Sequence, residues 1–336
     1  MIFFAFPGAL ELPTGGYAYA RRVLAEWQAA NIAVEVVPLS GSFPSPTEAA
    51  LREVDERLSG VGPYLIDGLA YGAFPEGLAA RIGPKSIILV HHPLCDEQGL
   101  DPETASFLEA RERKALSHAA GVVATSPMTA RDLAARFGVT EVVVAVPGTD
   151  PSPQAPLSGK PPRLLSVGTV TPRKGYVLLV EALSACRDLE WTCEIVGADN
   201  RDDAEGARVR AAIAEAGLEE RIVVRGEVDD MGAAYLRADL FVSSSLHEGY
   251  GMAVVEAMAH GLPVVTSTAG ALKETAPVAQ LVPPGNVGAL ADALRPLIVN
   301  SDARVALGSE CRTFAAGLPS WSEAAQIVAR AVEELR

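Results

Sequence analysis

SSSLHEGYGMAVVEAMAHGLPVV, residues 243–265, decides how the chain is read. The residues leading into it, 239–244 (DLFVSS), make a strand-like run. Residues 252–260 have helical composition, Gly261 suits the position just past a helix end, and Pro263 prevents continuation. Glu248-Gly249-Tyr250-Gly251 is therefore a strand-to-helix loop whose glycines let the backbone approach a ligand closely. A helix N-terminus beginning at Met252 offers free N–H groups and the positive end of the helix dipole, which suit phosphate. Glu256, in about the second helical turn, is placed to accept from the vicinal hydroxyls that a ribose presents. Glu248, before the turn, is placed to accept from the hydroxyls of a second sugar.

Outward from this stretch, the same alternation fills the second half. Strands are expected at 163–167, 191–196, 222–225, 239–244 and 262–266, and helices at 175–186, 203–216, 252–260, 289–297 and 322–335. The first half has strands at 2–6, 33–38, 64–67, 86–91, 121–125 and 141–146, with helices at 15–28, 47–58, 101–120 and 127–136. Strands alternating with helices imply βαβ units and parallel sheets. Between the halves, PGTDPSPQAPLSGKPP (147–162) is dense in Pro, Gly and Ser and reads as a linker. The expected class is α/β, with two doubly wound Rossmann-like domains that bind ligands at the carboxyl ends of their strands. Neither half has G-x-G-x-x-G after its first strand, and there is no G-x-x-x-x-G-K-[ST], so plain dinucleotide and P-loop readings lose their main support.

Bulk properties narrow the partners. The 336 residues suffice for two domains, and a formal net charge of −14 repels a nucleic-acid backbone. Cys95, Cys186, Cys193 and Cys311 form no C-x-x-C pair and read as reduced thiols of a cytoplasmic protein. The opening MIFFAFPGALELP lacks a basic n-region and reads as a first strand rather than a signal peptide. No apolar run approaches the roughly 20 residues of a transmembrane segment.

E-G-Y-G-M-A-V-V-E (248–256) resembles the E-x7-E motif of the retaining, GT-B-fold glycosyltransferases of family 4, the glycosyl transferases group 1. The resemblance extends to SVGTVTPRKG (166–175), which is similar to the family's phosphate-binding strand-loop, and to Pro147-Gly148-Thr149-Asp150, Gly226 and 235–245. It covers most of the C-terminal half and the layout of the N-terminal half. It implies an acceptor-side domain over 1–150, a linker at 151–162 and a nucleotide-sugar-binding domain over 163–319, facing a central cleft. The helix 320–336 is expected to cross back to the first domain.

The resemblance also implies roles. Arg173 and Lys174 would hold the diphosphate, where cations stabilise the charge that grows on the leaving group. Many members carry an arginine directly after the glycine matching Gly168; here Thr169 stands there, and Arg173 is the candidate substitute. His91, with His92 as the alternative, would reach the sugar from the first domain. Gly15 and Gly16 would bring backbone N–H groups near the diphosphate. Gly168, Thr169, Gly249, Tyr250, Gly251, Met252 and Glu256 would complete the donor site, and Gly197 and Val228, beside Ala198, Asp199, Asn200 and Glu227, would line the base pocket. Catalysis would rest on His91, Glu248, Arg173 and Lys174, with no metal and no cofactor beyond the nucleoside-diphosphate sugar, UDP- or GDP-linked. The acceptor would be a hydroxyl on a glycan, a lipid-linked compound or a small molecule.

Plainer readings compete at several positions. Ser126 and Thr129 fit ordinary helix capping, and Asp202-Asp203 and Asp229-Asp230 fit loop and helix-start charges. The acidic segment 95–101 suits either a polyol acceptor or solvent. His118, His247 and His260 read as helix surface, loop and helix end. As whole-protein alternatives, a glycoside hydrolase would use Glu248 and Glu256 as acid and base at about 5–5.5 or 6.5–9.5 Å. A catalytically silent nucleotide-sugar-binding protein and a GT-B epimerase are the others.

Overall fold

The computed structural model describes residues 1–335 except 13, 98 and 201. Gln98, inside the acidic segment 95–101, and Arg336, at the end of the expected last helix, lie outside the described residues. The chain divides into two units: Met1–Gly148 with Pro319–Arg336, and Thr149–Leu318.

In the first unit, β1 to β6 are Ile2–Pro7, Val34–Leu39, Tyr64–Asp67, Ser86–Val90, Gly121–Ala124 and Val142–Val144. They form one parallel sheet in the order β2-β1-β3-β4-β5-β6. β3 (YLID) and β4 (SIILV) are buried along their whole length, as near-continuous apolar runs require in a sheet covered on both faces. One face packs Ile66, Ile88 and Val90 against Tyr71, Phe74 and Leu116. The last helix, Trp321–Glu333, is started by a capping box in which Ser320 and Glu323 satisfy each other's backbone N–H groups. It buries Trp321, Ala324, Ala325, Val328 and Val332 along one stripe. The Trp27 indole, on helix Gly15–Ala29, donates to the Ala325 carbonyl at 2.8 Å, and the Tyr19 and Trp321 rings sit edge to face at 5.6 Å. The C-terminal helix is thus built into the first unit's core.

In the second unit, β7 to β12 are Arg163–Val167, Thr192–Val196, Ile222–Gly226, Leu240–Ser243, Val264–Ser267 and Gln280–Val282. The parallel order is β12-β11-β10-β7-β8-β9. Counted within the unit this is the order of dinucleotide-binding sheets, whose direction of winding reverses between β7 and β10. Asp239, fully buried just before β10, accepts from the backbone N–H groups of Gly159 and Arg163, each at 2.8 Å. One carboxylate therefore fixes where the chain enters β7 relative to β10.

The structure corrects several expectations. β11 begins at Val264 rather than 262, because the Leu262 N–H still closes the preceding helix by donating to the Ala257 carbonyl. The helix expected at 101–120 ends at Leu116, and His118 lies in the turn beyond it rather than on the helix. Segment 151–162 is no loose tether: Ala155 and Leu157 are buried with Met258, Leu262 and Cys311, and the Ala155 N–H donates to the His260 carbonyl at 2.8 Å. Helices Glu76–Ile82, Met231–Arg237 and Ser301–Ala315 and strand β12 were not among the expected elements. Ser301–Ala315 shows why. Its buried stripe is Arg304, Gly308, Cys311 and Ala315, with helical spacing but little apolar character. Arg304 is tolerated inside because its guanidinium donates to the Leu297 and Ile298 carbonyls. The plainer readings at Ser126, Asp202 and Asp230 are correct: each side chain accepts from a first-turn N–H of the following helix. All four cysteines are free thiols.

One buried charge gives the first unit a pH signature. Glu112 is 1% exposed on helix Pro102–Leu116 and accepts from the Leu94 N–H at 2.8 Å. Burial pushes its carboxyl up from 4.5 to about 8; the Leu94 N–H and Arg136 pull it down, and Asp96 and Glu109 push it further up. The unfolded chain releases this proton near its ordinary value and the folded chain holds it, so stability falls as pH rises across that window. Glu112→Gln keeps the acceptor and removes the titration. Its stability, from urea unfolding at pH 5 to 8, is expected to lose up to about 1.4 kcal/mol per pH unit of the wild-type slope. An unchanged slope contradicts the assignment.

Candidate functional site

The second unit's site forms where β7 and β10 end side by side. After β7, the chain runs through Gly168 and Thr169 into the short turn Pro172–Lys174, and Gly175 starts helix Tyr176–Ala185. After β10, it runs through Ser244 to Gly251 and into helix Met252–Ala259. Backbone bonds tie the loops together: the Leu246 N–H donates to the Arg173 carbonyl at 2.7 Å, and the Ser244 hydroxyl lies 3.0 and 2.9 Å from the carbonyls of Lys174 and Gly175.

This tie brings Arg173, Lys174 and Glu248 into one cluster. Lys174 Nζ lies 2.6 Å from Glu248 Oε1, and Arg173 Nη1 lies 3.2 Å from Oε2 and 2.9 Å from the His247 carbonyl. The side chains are 15%, 20% and 10% exposed for Lys174, Arg173 and Glu248. Burial alone would raise the Glu248 carboxyl, but Lys174, Arg173 and the Ser245 hydroxyl outweigh it and hold it at about 2. Gly168 is needed here, because a Cβ at φ +153° would come within 2.6 Å of the Lys174 stem. Thr169 sits beside Gly197 rather than in the ion cluster: a Cβ on Gly197 would lie 3.1 Å from the Thr169 nitrogen.

The remaining motif residues line the same loop. Gly249 and Met252 are half-buried, and Tyr250 is buried with its carbonyl held by the Thr275 hydroxyl at 2.8 Å. Gly251, at φ +96°, caps the helix. Glu256 is on that helix's exposed face and accepts from the Tyr235 hydroxyl at 2.7 Å. At the β8 end, Gly197 and Ala198 precede Asp199, which pairs with Arg210 at 2.8 Å, and Val228 is half-buried after β9.

In the first unit, His91 follows β4 and meets the start of helix Gly15–Ala29. A Cβ on Gly16 would sit 3.2 Å from His91 Cδ2, whereas one on Gly15 would meet nothing within 4 Å. The Tyr19 ring stands edge to face on His91 at 5.5 Å, and Asp67 Oδ2 is 3.8 Å from Nε2. Burial, reinforced by His92, lowers the His91 imidazole to about 3, so it is neutral at pH 7. Burial raises Asp67 to about 6. His92 turns away, with Nε2 at 3.4 Å from Glu97. Among the described residues no group of three or more His, Cys, Asp and Glu side chains suits a metal ion.

Five contributing residues were given no role of their own in the sequence reading. Ser245, 1% exposed, donates to Glu248 Oε1 at 2.7 Å. The Ala271 N–H donates to the Glu248 carbonyl at 2.9 Å, and Gly270, at φ +60°, leaves the room this needs: a Cβ there would be 2.2 Å from that carbonyl oxygen. Asp67 and Tyr235 are the others. Only the serine run at the end of β10 carried a visible signal; the rest meet their partners through the fold.

A sequence profile described as Glycosyl transferases group 1 matches residues 161–300, the segment that holds this cluster. The chain belongs to the group 1 glycosyl transferases. It is 31% identical over 266 residues to the 2-deoxystreptamine glucosyltransferase of Streptomyces kanamyceticus, covering 69% of this chain and 66% of that protein. It is 29% identical over 317 residues to the MMP alpha-(1->4)-mannosyltransferase of Mycolicibacterium hassiacum, covering 86% and 75%. The first curated relatives are matched over only 26% to 66% of their own lengths. Among solved structures, the sucrose-phosphate synthase from Thermosynechococcus elongatus superposes with a TM-score of 0.82 at 20% identity, over 100% of this chain and 99% of that one. The two-unit α/β architecture is the family's GT-B fold.

The cluster's charge balance is testable by stability. Glu248 titrates lower folded than unfolded, so its stabilisation is present above about pH 4.5 and is lost as pH falls toward about 2. Glu248→Gln takes the counter-charge away from two largely buried cations and is expected to cost roughly 3 kcal/mol at pH 7. In urea titrations the wild type should converge on the variant between pH 4.5 and 2. A gap that stays constant with pH contradicts the assignment.

Proposed function

We propose that the chain is a retaining glycosyltransferase that moves a hexosyl group from a nucleoside-diphosphate sugar to an acceptor hydroxyl. The observation that carries this reading is the Arg173–Lys174–Glu248 cluster at the strand switch point. There, two cations and one carboxylate meet in a largely buried place. Departure of the sugar adds negative charge to the diphosphate, and preorganised cations stabilise that charge more than the ground state. Lys174 and Arg173 hold the diphosphate, in a loop where Gly168 keeps side-chain bulk away. Glu248, kept ionised, is an acceptor only and binds hexose hydroxyls. A diphosphate that takes hydrogen bonds from Lys174 and Arg173 competes with Glu248 for them, so donor binding turns the carboxylate toward the sugar. Glu256 takes the ribose hydroxyls.

His91, neutral at working pH, exchanges hydrogen bonds with the sugar without adding charge. Gly15 and Gly16 open the first-unit helix N-terminus beside it. Transfer proceeds by front-face displacement: the anomeric carbon–oxygen bond to the diphosphate breaks as the acceptor oxygen bonds on the same face. The departing diphosphate oxygen takes the acceptor proton. No protein nucleophile, metal or further cofactor takes part in this scheme, since the two cations supply the charge stabilisation. The hexosyl group fits the glucosyl and mannosyl transfers named for the relatives. The acceptor is a hydroxyl compound of glycan, lipid-linked or small-molecule class, and the four free thiols favour a cytoplasmic setting. No helix among the described residues is long and apolar enough to cross a membrane. In a hydrolytic reading Glu248, held at about 2, carries no proton to donate at pH 7, and the Arg173–Lys174 pair has no phosphate to serve.

The test is thermal unfolding with UDP, GDP and ADP, followed by product analysis. One nucleotide at about a hundredfold excess over its Kd should stabilise the chain by about 2.7 kcal/mol, a shift of several degrees. Lys174→Ala should abolish most of that shift. The corresponding sugar nucleotide should give a product with the donor's anomeric configuration by NMR. An inverted product refutes the retaining mechanism, and no shift with any nucleotide refutes the donor class.

A further inference from the structure

Glu256 projects from the exposed face of helix Met252–Ala259, yet one of its oxygens is tied down. The tie is the hydroxyl of Tyr235, a residue of helix Met231–Arg237 that is itself 2% exposed. It donates to Glu256 Oε2 at 2.7 Å; its other acceptor within reach, the Ala253 carbonyl, is at 3.4 Å. The Tyr235 ring has little freedom. It stacks on His260, with centroids 4.8 Å apart and planes 26° apart, and tilts against Phe241 at 6.2 Å. His260, 7% exposed, ends the helix that carries Glu256, and its Nδ1 lies 2.8 Å from the Glu256 carbonyl. The histidine read from the sequence as an unremarkable helix end is thus a buried platform for the tyrosine.

An exposed glutamate samples several rotamers and loses that freedom when a ligand fixes it. A fixed phenol that has already selected one rotamer removes that cost before the ligand arrives, and preorganisation of this kind appears as affinity. Burial and the neighbouring carboxylate keep the phenol protonated, so it donates throughout the working range. Glu256 is then presented as an acceptor with a set orientation, which a pair of vicinal hydroxyls can use and a deoxyribose cannot use fully.

We propose that Tyr235, braced by His260, is a positioning residue that orients Glu256 toward the ribose diol of the nucleotide and so sets selectivity for ribo- over deoxyribonucleotides. The proposal rests on the reading above that Glu256 takes the ribose.

The experiment is calorimetric titration of the full chain with the nucleoside diphosphate that stabilises it most and with its 2′-deoxy counterpart. It compares wild type, Tyr235→Phe, Glu256→Gln and the double variant. Tyr235→Phe keeps the ring and removes only the donor. It is expected to reduce the ribose-over-deoxyribose preference by about fivefold to tenfold, mostly through weaker ribonucleotide binding. Donor KM should rise by a similar factor while kcat changes less than about twofold, as loss of uniform binding requires. In the Glu256→Gln background the Tyr235 effect should vanish, since the tyrosine acts through the carboxylate. Equal loss for both nucleotides, or a Tyr235 effect that survives in Glu256→Gln, makes Tyr235 a merely structural residue and overturns the proposal. A preference that collapses in Glu256→Gln but not in Tyr235→Phe overturns it while leaving the ribose reading standing. Wild type that binds both nucleotides equally removes the ribose reading itself, and the proposal with it.

Discussion

The second unit is organised around one buried carboxylate between two cations. Glu248 cannot stay ionised in that place without Lys174 and Arg173, and the cations in turn have the carboxylate as their shared counter-charge. The three come from loops 74 and 75 residues apart in sequence. They meet only because β7 and β10 are neighbours at the point where the sheet reverses its winding. Asp239 sets how the chain enters those two strands. Ser244, Ser245 and the Gly270–Ala271 turn then fix the loops that leave them. The glycines of this region follow from the same constraint, since side chains at Gly168 or Gly270 would displace the groups that make the ion cluster.

The first unit solves a different electrostatic problem. Its histidine lies beside the opening turn of helix Gly15–Ala29, flanked by Tyr19, with a buried aspartate 3.8 Å away. Burial favours the uncharged form of both ionisable groups, raising Asp67 and lowering His91. A neutral imidazole suits hydrogen bonding to an uncharged sugar. The second unit's charged cluster suits a diphosphate. The two units thus differ in which groups each one keeps ionised.

Much of this was legible in the sequence because it depends on local chemistry. Gly251, Gly261 and Pro263 marked the ends of helix Met252–Ala259 to within a residue, and apolar runs marked eleven of the twelve strands among the described residues, β12 excepted. The class, α/β with two Rossmann-like sheets, followed from that alternation. Features that depend on distant partners were not legible. Helix Ser301–Ala315 hides an arginine and a glycine in its buried stripe, so periodicity failed. Segment 151–162 has a linker's composition but is packed into a core through Ala155 and Leu157. At the site, the residue types of the ion cluster were visible, whereas the pairing of Glu248 with the cations was not. Tyr235 lies 21 residues from Glu256 and gave no sign of its contact.

The central claim is that Glu248 and a diphosphate compete for Lys174 and Arg173. Calorimetric titration of the sugar-free nucleoside diphosphate into wild type and Glu248→Gln tests it most directly. Removing the competing carboxylate should tighten binding of the nucleoside diphosphate several-fold, even as the variant loses transfer activity. Equal or weaker binding to the variant would show that the cations do not exchange partners, and would contradict the account.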